Sequence, residues 1–285
     1  MPIPLHMQVK NLSGVSFEII VDSFLEAFDN YYVKMPVDRA YYRQRWKAAK
    51  VDYNCSYGMF DGDLLVGFIV HAIDQRQGKR TAFNTGTGVI PGYRGRGIVK
   101  SIYTYAFKDL LEKGIEKSTL EVISENDRAL AVYQRVGFRI CRTYKCFSGT
   151  ITLDSASPYD LREIELTEVD WSRLPNQSFY SWDNQKESIV RGSYRFFEVI
   201  YNEKPESFFI INPDANYLAQ FDLFTGEPWV WNRLFGAIQE ISTTIRINNI
   251  DESLKDKVNH VISFGLKNTV DQFEMELNIE EGKTA

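Results

Sequence analysis

Between Val89 and Ile98 the chain alternates two arginines with two glycines, Arg94-Gly95-Arg96-Gly97, after a β-rich run and before a helical period. Pro91 cannot continue a central strand, so the strand ends here and a helix is expected from Ile98. A backbone with two glycines can turn its N–H groups inward. The helix N-terminus behind it adds partial positive charge, so the stretch is suited to hold a phosphate, with Arg94 and Arg96 beside it. A plain connection would read the same way, since the spacing is neither Rossmann nor P-loop. In the following helix Ile98, Ile102, Tyr105, Ala106 and Leu110 mark one apolar face, and Gly114 stands where a C-terminal cap belongs.

Ser118 to Ile123 reads as a buried strand. Asn126 or Asp127 can cap a helix from Arg128 to Val136, with Gly137 just past its end. The order strand, glycine loop, helix, strand, helix now carries a resemblance. Val89 and Ile90, with Pro91 to Ile98, resemble the pyrophosphate loop of the GNAT superfamily of N-acetyltransferases, departing from it at Val99. Leu120-Glu121-Val122 with Asn126, Ala129, Tyr133 and Gly137-Phe138 resembles the superfamily's second motif. Together they cover roughly the first half of the chain.

The resemblance implies a mixed α+β acyltransferase fold, acetyl-CoA as co-substrate and no metal. It implies a coenzyme site built from Val89, Ile90, Arg94, Gly95, Arg96, Gly97, Ile98 and Asn126. Acetyl transfer needs an unprotonated amine, a donor for the oxyanion and a proton for the departing thiolate. By resemblance Tyr133 supplies that proton, Glu121 stands where N-terminal acetyltransferases of ribosomal proteins keep a base, and a backbone N–H near Val89 meets the oxyanion. Each has a plainer reading. Tyr133 can be a buried helix tyrosine, Asn126 a helix cap, Glu121 a local hydrogen-bonding group, and the base Glu125 or a chain of waters.

A length of 285 residues suggests about two domains, and 44% hydrophobic composition is ample for real cores. The 33 basic residues against 38 acidic ones give a net charge of -5, which argues against a general nucleic-acid binder and suits a cationic substrate. Cys55, Cys141 and Cys146 form no Cys-x-x-Cys pair, and three cysteines fit a reducing compartment better than a disulfide framework. With no signal-peptide pattern and no apolar run of membrane length, the expectation is a cytoplasmic protein free of membrane, acting on a small-molecule or peptide amine; a homodimer is left open.

Ahead of the loop, Phe17, Ile20, Val21, Phe24, Leu25 and Phe28 follow a helical period, and Tyr41, Tyr42 and Trp46 lead a second helix. In the resembling fold the segment between them arches over the acceptor, so Tyr31, Tyr32 and Met35 are candidate pocket residues, with ordinary packing as the alternative. Cys55 to Phe60 and Leu64 to His71 read as a hairpin about Asp61-Gly62, Gln75 to Arg80 as a polar loop, and His71 as a structural histidine more readily than a catalytic one.

After Gly149 to Pro158, whose polar, small-residue end reads as a linker, the same order of elements returns. Expected are a strand over Leu161 to Val169, helical surroundings for Ser188 to Arg195 and paired strands at Phe196 to Ile200 and Phe208 to Ile211. Tyr217 to Leu223 is then strand, Trp229 to Ile241 helix, Thr244 to Asn248 strand, Leu254 to Phe264 helix and Val270 to Ile279 strand. The expectation is a catalytic domain over residues 1–150 and a degenerate GNAT-like domain over 159–285. In the second, Phe224-Thr225-Gly226-Glu227-Pro228 replaces the basic loop, and Val261 stands where Tyr133 does when Gly265 is aligned with Gly137. A module that binds or senses acyl-CoA without catalysis is the competing function. Retention of Tyr133 and Glu121 favours catalysis.

Overall fold

The computed structural model describes residues 6–279. The first stretch holds β1 (Met7–Asn11), α1 (Phe17–Ala27), α2 (Arg39–Ala49), β2 (Tyr57–Asp61), β3 (Leu64–Arg76), β4 (Lys79–Val89), α3 (Ile98–Glu112), β5 (Lys117–Ile123), α4 (Asp127–Val136) and β6 (Arg139–Thr150). There follow β7 (Asp160–Ile164), α5 (Lys186–Ile189), β8 (Arg195–Tyr201), β9 (Lys204–Asn212), β10 (Tyr217–Leu223), α6 (Val230–Ile241), β11 (Thr244–Asp251), α7 (Lys255–Ser263) and β12 (Lys267–Asn278). Among the described residues β1-β2-β3-β4-β5 are neighbours in that order in the first unit, and β6-β11-β10-β9-β8-β7 in the second. The chain divides into two compact units. One runs through Val122 and takes in Asn126–Cys141 and the chain from Glu274; the other is Ile123–Glu125 with Arg142–Phe273. Both β6 and β12 therefore give residues to each unit.

In the first unit α1 starts where the Ser16 hydroxyl accepts the N–H of Ile19, and α2 where Asp38 accepts that of Ala40. Phe24 from α1 stacks on Phe68 of β3 and meets Tyr42 and Trp46 of α2 edge-on, which anchors both helices to the sheet. The buried face of α3 is Ile98, Ile102, Tyr103, Ala106, Phe107 and Leu110. Tyr105 is 46% exposed, against the sequence expectation, and Tyr103 is 1% exposed. The reason is spacing: Tyr103 lies three and four residues before Ala106 and Phe107, on their side of the helix.

The expected polar loop over Gln75 to Arg80 is also shorter than read. Gln75 pairs Arg80 and Arg76 pairs Lys79, leaving the two-residue turn Gln77-Gly78, with φ of 51° and 78°. Two left-handed residues make the hairpin turn whose twist suits the long strands flanking it. Next, α3 carries the chain over to β5, which runs parallel to β4.

The second unit repeats this order with its own residues. β7, β8, β9 and β10 are an antiparallel series, β11 runs parallel to β10 after α6, and β6 pairs antiparallel with β11. Phe235, Ile238, Val258 and Val261 of α6 and α7 share a core with Phe209, Phe221 and Ile247 of the strands. The strand expected to reach Val169 stops at Ile164. Three single 3-10 turns, at Trp171–Arg173, Gln177–Phe179 and Trp182–Asn184, then stand where the first unit has two helices. Pro175 and the Asp170 side chain, which accepts the N–H of Ser172, favour turns over a ladder there. The helix expected over Ser188 to Arg195 is only α5, and Arg195 opens β8. Ahead of the linker the chain is held by backbone bonds, Ile151 to Thr243 at 2.8 Å and Thr152 to Phe264 at 2.9 Å.

Candidate active site

In the first unit β4 stays paired with β3 as far as Val89, but it pairs with β5 only from Thr81↔Lys117 to Asn84↔Leu120. The β3 partners jump from His71↔Asn84 to Val70↔Gly86, so Thr85 is an extra residue that bends β4 as it leaves β5. Arg45 of α2 holds the bend, donating to the Thr85 hydroxyl at 2.9 Å. Beyond Asn84 the edge of β4 that faced β5 carries no β5 ladder, which opens a cleft between the separating strands.

Polar side chains gather at that opening. Asn84 accepts the N–H of Gly86 at 3.0 Å through Oδ1 and donates from Nδ2 to the Thr87 hydroxyl at 2.6 Å and the Tyr103 hydroxyl at 2.8 Å. Tyr133 of α4 belongs to the same surroundings, its ring 6.4 Å from that of Tyr103. Burial pushes the Tyr133 hydroxyl up to about 12, and the polar side chains of Thr87 and Asn84 work against that rise. It is therefore protonated at neutral pH. Tyr103 is raised well above its ordinary value, again by burial first.

Asn126 caps α4, its side chain accepting the N–H of Ala129 at 3.1 Å, and its polar side chain works against the rise that burial imposes on the Tyr31 hydroxyl. The cap reading of Asn126 therefore holds whatever else the residue contacts. Tyr31 reaches this cluster; Tyr32 is 56% exposed, and Met35 packs beside the α1–α2 core. Glu121 follows Leu120 directly, half-buried on the part of β5 that has left β4. His71 pairs with Asn84 across β3 and β4, its ring 6.4 Å from that of Tyr103. Its Nδ1 bonds the Cys55 carbonyl at 2.7 Å, and full burial pulls it down to about 4, so the ring is neutral.

The glycine loop closes the same end. Val89 finishes β4, Ile90 is buried and gives its N–H to Val66, and Pro91–Tyr93 form a single 3-10 turn. Gly95 and Gly97 adopt φ of 78° and 74°, a region that side chains with a Cβ enter at a cost, so the alternation of glycines is a backbone requirement. Arg94 ties the loop down by donating to the Val89 carbonyl at 3.1 Å and the Ala27 carbonyl at 3.0 Å. Arg96 donates to the Gly92 carbonyl at 2.9 Å and lies over the Tyr93 ring. The first intrahelical bond of α3 is Ser101 to Gly97, which leaves the N–H groups of Ile98, Val99 and Lys100 without helical partners. A run of outward N–H groups with exposed arginine next to it is the arrangement that receives a phosphate. Among the described residues no group of His, Cys, Asp and Glu could hold a metal ion, and no helix is long and apolar enough to cross a membrane.

Sequence reasoning missed Asn84, Thr87 and Tyr103. A helical wheel passing through Tyr103 would have found one of them; the others depend on the bulge, which has no signature in residue type.

In the second unit the loop after β10 contains Gly226 outside the left-handed region, followed by Glu227 and Pro228. The β10–β11 ladder is the single pair Tyr217↔Arg246. The turns before α5 fill the gap: Gln177 bonds Gln220, Tyr180 bonds Phe221 and Asp222, and Asn184 donates to the Asn248 carbonyl at 3.0 Å.

Residues 18–138 match the family model described as Acetyltransferase (GNAT) family. A segment of 50 residues is 50% identical to N-alpha-acetyltransferase MAK3 of Arabidopsis thaliana, covering 18% of this chain and 26% of that protein. Another of 57 residues is 37% identical to mycothiol acetyltransferase of Corynebacterium aurimucosum, covering 20% of this chain and 19% of that protein. The chain thus spans about a quarter or less of these curated relatives. A tandem GNAT protein from the clavulanic acid biosynthesis pathway superposes with a TM-score of 0.67 over 96% of this chain and 98% of its own, at 14% identity, a likeness of fold.

Proposed function

We propose that this chain, whose residues 18–138 belong to the GNAT acetyltransferase family, moves an acetyl group from acetyl-CoA directly to a primary amine in the cleft where β4 leaves β5. The observation that supports the reading is a protonated buried phenol, Tyr133, in the same unit as a loop whose Gly95 and Gly97 are left-handed ahead of α3. In this proposal Val89 and Ile90 border the pantetheine arm and Arg94 to Ile98 hold the pyrophosphate, through N–H groups and the charges of Arg94 and Arg96. Asn126 adds a contact from the far wall.

Three tasks then fall to the chain. A backbone N–H of β4 near Val89 meets the oxyanion, which a fixed dipole stabilises without reorganising. Glu121, directly or through water, takes the proton that the amine must lose. Tyr133 gives its proton to the departing thiolate, a role in which general acids contribute about 10²–10⁴-fold. Tyr31, with Tyr32 and Met35 further along the same segment, borders the acceptor. A small-molecule or peptide amine is the acceptor class, and the plant relative, an N-alpha-acetyltransferase, supports including peptide α-amines among the candidates.

The sequence division into a catalytic part, 1–150, and a coenzyme-free part, 159–285, belongs to the same proposal. Glu227 repels a pyrophosphate, Pro228 lacks an N–H, and no residue of that loop is left-handed. Release of free thiol from acetyl-CoA on addition of amines, over a panel of peptides, polyamines and small metabolite amines, tests the reading. Amine-dependent release is expected. Coenzyme binding without release under any amine would leave a binding module in its place.

A further inference from the structure

Asp61 ends β2 with its backbone paired to Met7 of β1 on one side and to Leu64 of β3 on the other, so only Gly62 and Asp63 are left in the turn. Gly62 supplies the left-handed residue that such a short hairpin turn needs, at φ 61°. The Asp61 carboxylate therefore stands at a fixed point at the end of the strands. One of its oxygens lies 3.2 Å from Nε2 of His6, and the other accepts the Tyr93 hydroxyl at 2.8 Å. Tyr93 belongs to the single 3-10 turn that leads into the glycine loop, so this bond ties the loop to the β2–β3 hairpin.

The two arginines of the loop are held differently. Arg94 donates from Nε and from Nη2 to the carbonyls of Val89 and Ala27, which makes it a strut between the loop and the end of α1. Arg96 donates once, from Nη2 to the Gly92 carbonyl, and its guanidinium carbon lies 4.9 Å from the centre of the Tyr93 ring. It is exposed, and it immediately precedes Gly97, the residue that opens α3. A guanidinium resting on an aromatic face is attracted to it and loses rotamer freedom before any ligand arrives, so less is lost on binding.

We propose that Asp61, by holding Tyr93, seats Arg96 for the pyrophosphate of the coenzyme. The inference rests on the acetyl-CoA reading above and adds Asp61 and Tyr93 to it as positioning residues. Tyr93 supplies the face on which the guanidinium lies, Asp61 fixes that face, and the remaining N–H groups of Arg96 meet the phosphate.

Calorimetric titration with three ligands tests this: acetyl-CoA, acetyl-dephospho-CoA, which keeps the pyrophosphate, and acetyl-pantetheine, which has no phosphate. Arg96→Ala should weaken acetyl-CoA about tenfold, and Tyr93→Leu and Asp61→Ala about threefold or more. Asp61→Asn keeps an acceptor for the Tyr93 hydroxyl and should restore most of the affinity. The deficits should persist with acetyl-dephospho-CoA and vanish with acetyl-pantetheine. Adding Tyr93→Leu or Asp61→Ala to Arg96→Ala should weaken binding little further, because both act through the arginine. Additive losses in the double variants, equal deficits with all three ligands, or deficits confined to acetyl-CoA overturn the inference. If Tyr93→Leu does not fold, as judged by melting without ligand, the Asp61→Ala and Asp61→Asn pair decides. A wild type that binds acetyl-pantetheine as tightly as acetyl-CoA overturns the pyrophosphate-loop reading and this inference with it; a wild type that prefers acetyl-CoA, with indifferent variants, overturns this inference alone.

Discussion

The Tyr180 hydroxyl lies 3.2 Å from the backbone nitrogen of Phe221 and accepts its N–H, on the strand of the second unit that corresponds in order to β4. In the first unit that stretch of strand edge faces the cleft; here a side chain from the same unit occupies it. This occupied strand edge, with Glu227 and Pro228 in the loop, supports the proposal that the second unit binds no coenzyme. Calorimetric titration of the full chain should give one acetyl-CoA bound per subunit, and Gly97→Glu should leave none. One coenzyme remaining in that variant would place a site outside the glycine loop.

Gly97 opens α3 at φ 74°, where a Cβ costs about 1–2 kcal/mol. Nothing lies within 4 Å of a Cβ built there, so the cost of Gly97→Ala is conformational, not steric. The variant should fold and bind acetyl-CoA about tenfold more weakly as the turn relaxes and its N–H groups lose their direction. Unchanged affinity in Gly97→Ala, by the same titration, would mean that the turn does not orient the donors.

Lys257 and Asp222 form a buried ion pair at 2.8 Å, with Tyr180 bonded to the same carboxylate. Burial pulls Lys257 down and the carboxylate holds it up. Removing the negative partner in Asp222→Asn strands a buried ammonium and should destabilise the protein by about 3–5 kcal/mol. Urea unfolding followed by tryptophan fluorescence measures this; a loss below about 1 kcal/mol would show that the pair is not what holds the turns to β10.

His71 yields a pH dependence with a definite sign. Its folded value of about 4 lies below the unfolded 6.5 because burial disfavours the cation, so the unfolded chain takes up the proton first. Its stabilising contribution is complete above pH 6.5 and is lost as pH falls toward 4, about 3 kcal/mol in all by linkage. Unfolding free energy measured from pH 7 to 4 should fall less steeply in His71→Gln than in the wild type. Parallel curves would contradict the assignment.

What the sequence discloses follows from how local each feature is. The glycine loop is legible because a left-handed backbone at two alternating positions admits few residues other than glycine, and Asn126 and Gly137 mark the ends of α4 by the same kind of local rule. Tyr103 and Tyr105 both fall near the edge of the helical wheel, and only the sheet beneath decides that Tyr103 is the buried one. Asn84 and Thr87 were silent because the extra residue at Thr85 shifts which way β4 side chains face. The sharing of β6 and β12 by both units is a choice of partner between strands far apart in sequence, on which residue type says little. The turns around Tyr180 carry no period at all.

The central claim is that Tyr133 protonates the departing thiolate during transfer to an amine. It is tested most directly by the rate of amine-dependent thiol release from acetyl-CoA in Tyr133→Phe, measured in single turnover so that chemistry is observed, alongside coenzyme affinity. A rate lower by about 10²–10⁴-fold with affinity nearly intact is expected. A rate equal to that of the wild type would contradict it.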